Sequence, residues 1–375
     1  MSETHDIHAL LRQMIERKAS DLFITVGFPP SAKIDGELVK LSFEPLERVQ
    51  VDALVDSVMN EDVRQQFESQ REANFGYSGE EDHARFRVSA FWQRDNPGMV
   101  LRLIQARIPS MEELFLPEVM KEICMAKRGL VIMVGATGTG KSTSLAAMVG
   151  HRNRNQRGHI LTIEDPIEFV HEHDQSIVTQ REVGLDTNSF DTALKSSLRQ
   201  APDVILIGEI RSQETMEFAL SFAETGHLCM ATLHANNANQ ALDRIMHLVP
   251  KEKHDQLKFD LSLNLKAVMA QQLIPRRDGH GRRVAIEVLL NTPRVSDIIA
   301  NGDLHLLKET MANSREQGMQ TFDQALYDLY DSDQISYADA LHHADSPNDL
   351  RLMIKLKQSS NTGSGYLDGI TVDLD

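Results

Sequence analysis

The sequence predicts an α/β protein of two domains: a smaller N-terminal α/β module, then a core built on a mainly parallel sheet. Three observations predict this. The chain has 375 residues, more than one hydrophobic core ordinarily serves. Hydrophobic residues make up 41% and charged residues 25%, the balance of a soluble globular chain. From about residue 129 onward, short apolar runs alternate with helical patterns, as in strand–helix–strand units packed around a parallel sheet.

The elements follow in order. Ile7, Leu10, Leu11, Met14 and Ile15 share one helical face. LFITV (Leu22 to Val26) reads as a strand before the turn GFPP, and AKIDGEL carries an Asp35-Gly36 hairpin signal. ARFRVSAFW and GMVLRLI read as two more strands, the first setting Phe86, Val88 and Ala90 against Arg85, Arg87 and Ser89. In ARIPSMEE, Pro109 breaks the chain and Ser110 is a candidate N-cap. Strands are then expected at 130–134, 160–163, 204–207 and 228–232, with a helix opening at KSTSLAAMVG. Amphipathic helices are expected from about Asn239, and VAIEVLL is a late candidate strand. These signals divide the chain into an N-terminal domain over 1–105, a linker over 106–112, a core with C-terminal helices over 113–355, and a tail over 356–375. The polar, acidic tail reads as disordered, with a docking peptide as the alternative.

Composition narrows the function. The formal net charge is -16, and the basic clusters Arg152/Arg154/Arg157, Arg276/Arg277 and Arg282/Arg283 are short. That argues against a nucleic-acid partner, which would want clustered Lys and Arg. No apolar run approaches the roughly 20 residues needed to span a bilayer, so no direct membrane insertion is expected. No secretory leader is evident in MSETHDIHALLRQ. Cys124 and Cys229 each neighbour a methionine in apolar surroundings and read as buried reduced thiols. These features point to the cytoplasm.

Four motifs carry chemistry. GATGTGKS, continuing into Thr143, follows a strand and opens a helix, the context of a phosphate-binding loop. Gly135, Ala136, Thr137, Gly138, Thr139 and Gly140 would aim backbone N–H groups at phosphate oxygens. Lys141 would reach the outer phosphates and the Ser142 hydroxyl would ligate Mg²⁺. In TIEDPIEF, Glu164, Asp165 and Glu168 gather where the second core strand ends, the edge at which open α/β sheets hold ligands; a solvated acidic turn is the alternative. In DVILIGEIR, Gly208 stands where many nucleotide hydrolases carry a metal-binding aspartate, and Glu209 follows it. Glu209 could bond a metal-bound or attacking water, or simply pair with Arg211. In ETGHLCMATLHANNA, His227 and His234 flank the fourth strand and could sense a γ-phosphate or bridge to a neighbouring subunit; zinc is a competing idea without suitably spaced cysteines. HEHD (His171 to Asp174) could also suggest metal but reads as a solvated loop.

Taken together, GATGTGKST, ILTIEDPIEFVH, PDVILIGEIR and TGHLCMATLH resemble the secretion-type ATPases of type II secretion and type IV pili, and within them the retraction ATPases of the PilT/PilU type. ASDLFITVGFPPSAKIDGEL, RFRVSAFWQR and GMQTFDQAL extend the resemblance over about residues 1 to 350. The resemblance implies a PAS-like N-terminal domain, a RecA-like core and a hexameric ring binding ATP between domains. It implies Glu168 as general base, Glu209 as the Walker B acid, Glu164 and Asp165 as an acidic box, and His227 and His234 as a histidine box. Arg87 and Arg102 are candidates for the N-terminal arginines that complete the site, with an exposed strand face as the alternative. Expected partners are copies of the chain itself, a PilT-type paralogue, and the platform protein of the pilus base at the inner membrane.

Three departures stand out. Ser212 follows Arg211 where the PilT type has aspartate, RQAPDV replaces REDPDV, and VSDIIANG (Val295 to Gly302) occupies the place of AIRNLIRE. They favour the PilU branch and raise dependence on a stronger paralogous motor as the alternative to independent action. A nucleic-acid motor or a small-molecule kinase shares the phosphate loop, but the chain shows no acceptor-pocket signature.

Overall fold

A computed structural model describes residues 6–34, 36–78, 84–104 and 107–362. The chain forms two compact units, one of 1–108, 161–174 and 178–200, the other of 109–160, 175–177 and 201–375. Asp35 of the hairpin signal and residues 363–375 of the expected tail fall outside the described residues, while 356–362, expected to be disordered, continue the helix Pro347–Thr362.

Among the described residues, 21–104 hold six strands: β1 (Asp21–Thr25), β2 (Ser31–Ile34), β3 (Glu37–Lys40), β4 (Glu72–Ser78), β5 (Arg85–Gln93) and β6 (Asn96–Ile104). They form one sheet in the order β3-β2-β1-β6-β5-β4. The helix Ile7–Glu16 is capped by Asp6, which accepts the His8 N–H, and buries Ile7, Leu10, Leu11 and Met14. On β5, Phe86, Val88 and Ala90 are fully buried and meet Met99 and Leu101 of β6 in the core. The β5–β6 connection is a two-residue turn of Arg94 and Asp95, both with positive φ, as type I′ hairpins require. Helices Arg48–Ser57 and Glu61–Gln70 and strand β4 add to the expected elements.

The later strands are β7 (Gly129–Val134), β8 (Gly158–Glu164), β9 (Ser176–Glu182), β10 (Val204–Ile207), β11 (Leu228–Leu233), β12 (Leu265–Pro275) and β13 (Arg282–Leu290). The strands of the second unit run β13-β12-β7-β11-β10 in one sheet. β10, β11, β7 and β12 pair in parallel, and β12 with β13 is antiparallel. β7 and β11 are buried along their whole length, as strands covered on both faces must be.

Two expectations are corrected here. In the region after Asn239, VAIEVLL lies in β13 as expected, but a further strand, β12, stands between Asn264 and Arg276 where helix was expected. Its residues Lys266, Ala267, Met269, Ala270 and Gln271 favour helices in isolation, but pairing with buried β7 overrides that weak preference. Ser110 and Glu113 do exchange capping bonds of 2.8 and 3.2 Å. They close a turn rather than a helix, since Phe115 turns to a φ of 56°. Cys124 and Cys229 are buried free thiols, and burial pushes Cys124 up to about 12.

Candidate phosphate-loop site

The phosphate-loop residues, Glu209 and the two histidines belong to the second unit; Glu164, Asp165, Glu168, Arg87 and Arg102 belong to the first. β7 delivers the chain to Gly135, where φ is 154° and an added Cβ would lie 2.5 Å from Thr139 Oγ1 and 2.8 Å from the Gln271 carbonyl. Gly140 has a φ of 85°, and a Cβ there would lie 2.9 Å from Gln271 Nε2. Glycine is therefore demanded at both ends of the loop by conformation and space. Between them, the Thr139 hydroxyl donates to the Ala136 carbonyl at 2.9 Å. Lys141 opens the helix Lys141–Asn155, and its Nζ donates to the carbonyls of Gly135 and Ala136 at 2.8 and 2.9 Å. Gly140 caps the helix without a side-chain bond. Such a terminus suits an anion. Ser142 and Thr143 are half-buried in its first turn.

Parallel pairing of β11 with β7 matches Leu233 to Val134, which sets His234 beside the start of the loop. His234 and Ala136 line one cavity of about 590 Å³ together with Asn236, Gln240, Arg244 and His247. Glu209 lies just beyond β10 with one oxygen 2.7 Å from Arg211 Nε and the other 3.4 Å from His234 Nε2. The strand-end pairing with Arg211 is thus real, and His234 shares the same carboxylate. Gly208 offers its carbonyl to the Thr232 hydroxyl, which ties β10 to β11. His227 is not brought to this place. It precedes β11 while His234 follows it, and the six intervening residues separate the two by roughly 20 Å. His227 Nδ1 lies 3.1 Å from the Thr225 hydroxyl and 3.2 Å from the Phe222 carbonyl, at the end of helix Gln213–Glu224.

In the first unit, Glu164 ends β8 and accepts the Thr162 hydroxyl at 2.7 Å and Gln180 Nε2 at 3.2 Å. Burial raises its pKa, and the Glu168 charge raises it further against the pull of those bonds. Asp165 and Glu168 are exposed. The backbone N–H of Ile167 donates to Glu182 at 3.2 Å, and Glu182 also binds Arg85 at 2.7 Å. In HEHD, the His173 ring accepts the Val178 N–H, a turn contact. No group of three or more His, Cys, Asp and Glu side chains gathers as a metal site among the described residues. Arg87 and Arg102 face each other in register across β5 and β6. Arg102 pairs with Asp21 at 2.8 Å while 66% exposed.

Sequence reasoning missed Gln271. It is 2% exposed on β12, donates to the Thr139 carbonyl at 2.7 Å and accepts the Ser144 hydroxyl at 2.7 Å. The signal was a polar Gln-Gln pair inside an apolar run, which cannot be buried without partners. Glu287, 1% exposed inside VAIEVLL, was missed for the same reason.

The family model described as Type II/IV secretion system protein matches residues 3–328. The chain is 60% identical to the Type IV pilus ATPase PilU of Pseudomonas aeruginosa, covering 98% of this chain and 96% of that protein. It is 41% identical to the Type IV pilus retractation ATPase PilT of the same organism, covering 91% and 99%. A crystal structure of the pilus retraction motor PilT with bound ADP superposes with a TM-score of 0.87 at 39% identity, covering 93% of this chain and 99% of that one.

Proposed function

The chain belongs to the Type II/IV secretion system protein family, and from that premise we propose that it is an ATP-hydrolysing motor that powers or assists retraction of type IV pili. The observation that carries the reading is the loop Gly135–Thr143, where conformation and space demand glycine at Gly135 and Gly140 ahead of a helix N-terminus, with the Lys141 ammonium bonded to the loop's own carbonyls. The ADP-bound PilT crystal structure, so similar over nearly its full length, supports nucleotide at this loop.

On this reading Lys141 exchanges its two carbonyl partners for the outer phosphates. Ser142 and Glu209 offer hard oxygens, the donor type that suits Mg²⁺. Bound Mg²⁺ supplies charge neutralisation on the transferred phosphoryl group. Glu168 orients and deprotonates the attacking water, Glu164 and Asp165 form the acidic box, and Glu209, steadied by Arg211 and His234, serves as the strand-end acid. Gly208 would then leave no defect, because the acid work would be divided among Glu164, Asp165, Glu168 and Glu209. His227, remote from His234 in one chain, would act toward an adjoining copy in a hexameric ring. Arg87 and Arg102 would complete sites from the N-terminal domain. The working assembly sits on the cytoplasmic side of the pilus base through the platform protein. Among the described residues, no helix is long and apolar enough to cross a membrane.

A second reading, an accessory subunit dependent on a PilT-type motor, is favoured by the greater identity to PilU than to PilT, 60% against 41%. One experiment separates the two: ATPase activity of the purified chain and of Lys141→Ala, each with and without the PilT-type paralogue. Lys141-dependent turnover by the chain alone supports the motor. Full ATPase in Lys141→Ala defeats both readings.

A further inference from the structure

Gln271 stands on β12, the strand beside β7, and its side chain spans the phosphate loop and the helix that follows it. Its Nε2 reaches the Thr139 carbonyl at 2.7 Å and its Oε1 takes the Ser144 hydroxyl at 2.7 Å. The two bonds fix the amide in one orientation, since one end meets only an acceptor and the other a donor. The group is 2% exposed, so the arrangement is built rather than incidental.

The Thr139 carbonyl shares a peptide plane with the Gly140 N–H. In a trans peptide these two groups point in opposite directions. A donor that holds the carbonyl toward β12 therefore holds the Gly140 N–H away from β12. Without such a donor the peptide has more freedom to turn over, because Gly140 on its C-terminal side, at a φ of 85°, imposes little backbone preference. Gly140 also lacks the Cβ that would fill the space Nε2 needs, so loop and amide are mutually fitted. Lys141, Thr139 and Gly135 each already serve internal bonds or close contacts of the loop.

We propose that Gln271 is a positioning residue for nucleotide binding, holding the Thr139–Gly140 peptide with its N–H on the phosphate side of the loop. The inference rests on the phosphate-loop reading above. Gln271 touches no reacting atom. Its loss weakens the ground-state grip on phosphate rather than the chemical step.

The test uses the full chain carrying Gln271→Glu and Gln271→Leu, with Ser144→Ala beside them. Gln271→Glu keeps the shape and the Ser144 bond but turns an acceptor toward the Thr139 carbonyl; Ser144→Ala keeps the Thr139 bond. Each is measured for ADP affinity, for KM and kcat of ATP hydrolysis, and for unfolding temperature without nucleotide. The loss of one buried donor, worth about 1–2 kcal/mol, should raise KM and the ADP Kd about tenfold in both Gln271 variants. It should leave kcat within about twofold of wild type and Ser144→Ala close to wild type in KM. A folded Gln271→Glu or Gln271→Leu with wild-type KM and ADP affinity overturns the proposal, as does a loss confined to kcat. Wild-type protein that binds no ADP defeats the phosphate-loop reading itself, and this proposal with it.

Discussion

Glu287 accepts the backbone N–H of Ala238 at 2.7 Å, so a buried carboxyl on β13 closes the N-terminus of the helix that follows His234. Burial, and next the charge of Asp345, push Glu287 up to about 7 against the pull of the Ala238 and Phe322 N–H groups and Lys308. Lys308 is itself bound to Asp323 at 3.0 Å. The folded chain thus holds this proton more tightly than the unfolded chain, whose glutamate titrates near 4.5. The stability it contributes is fully present below that value and is lost as pH rises through about 7. Glu287→Gln keeps the acceptor for Ala238 and removes the ionisation. It should be more stable than wild type at pH 8, by at most about 3 kcal/mol, and so unfold at a higher temperature there, with little difference at pH 5. Thermal unfolding across pH checks this; an identical slope in both proteins would defeat it.

Arg85 and Glu182 form a different kind of buried pair, 2.7 Å apart with side chains 19% and 4% exposed. Glu182 also receives the Ile167 N–H, so the pair anchors the turn that carries Glu168. Arg85→Ala leaves a carboxylate buried without its cation and should cost about 3–5 kcal/mol. Adding Glu182→Leu should return a substantial part of that loss, because no charge is then stranded. Denaturant unfolding of the two single variants and the double variant measures the coupling. Simple additivity would mean that the pair contributes nothing specific.

How far the sequence discloses these features follows from what local patterns encode. The phosphate loop was legible because its glycines, lysine and serine act through neighbours within eight residues. β7, β10 and β11 were legible as continuous apolar runs, and the N-terminal helix as one apolar face. β12 was not, because its composition suits a helix and only its pairing with β7 makes it a strand. Gln271, Glu287 and the Arg85–Glu182 pair were invisible for a related reason: their partners lie 132, 49 and 97 residues away along the chain. His227 and His234 read as one pair in sequence, yet a strand has two ends, and the structure puts one histidine at each.

Gly140 tests the loop's geometry apart from its charge. Alanine there meets a φ of 85° and a contact of 2.9 Å with Gln271 Nε2. Gly140→Ala should therefore weaken ADP binding at least tenfold, with strain of about 1–2 kcal/mol or more. Lys141→Ala leaves the backbone path alone and removes the cation; ATP hydrolysis should fall by roughly a hundredfold or more. Calorimetric ADP titration beside steady-state turnover distinguishes the two effects. ADP binding by Gly140→Ala equal to wild type would show that the loop tolerates a side chain where the structure leaves no room.

Glu168 and Glu164 divide the acidic turn between two environments. Glu164 is enclosed, bonded to Thr162 and Gln180, and its pKa is raised by burial and by the neighbouring Glu168 charge. Glu168 is exposed at the outer side of the turn, placed there by the Ile167–Glu182 contact. Enclosure disfavours the ionised form that a base requires. Glu168→Gln should therefore abolish most hydrolysis, by roughly a hundredfold or more, while nucleotide still binds. Glu164→Gln should be milder, since its bonds to Thr162 and Gln180 persist in part and its charge is already disfavoured. Single-turnover hydrolysis together with equilibrium binding of labelled ATP checks both. If Glu164→Gln were the more damaging, the base would have to be reassigned to the enclosed carboxyl and Glu168 to a positioning role.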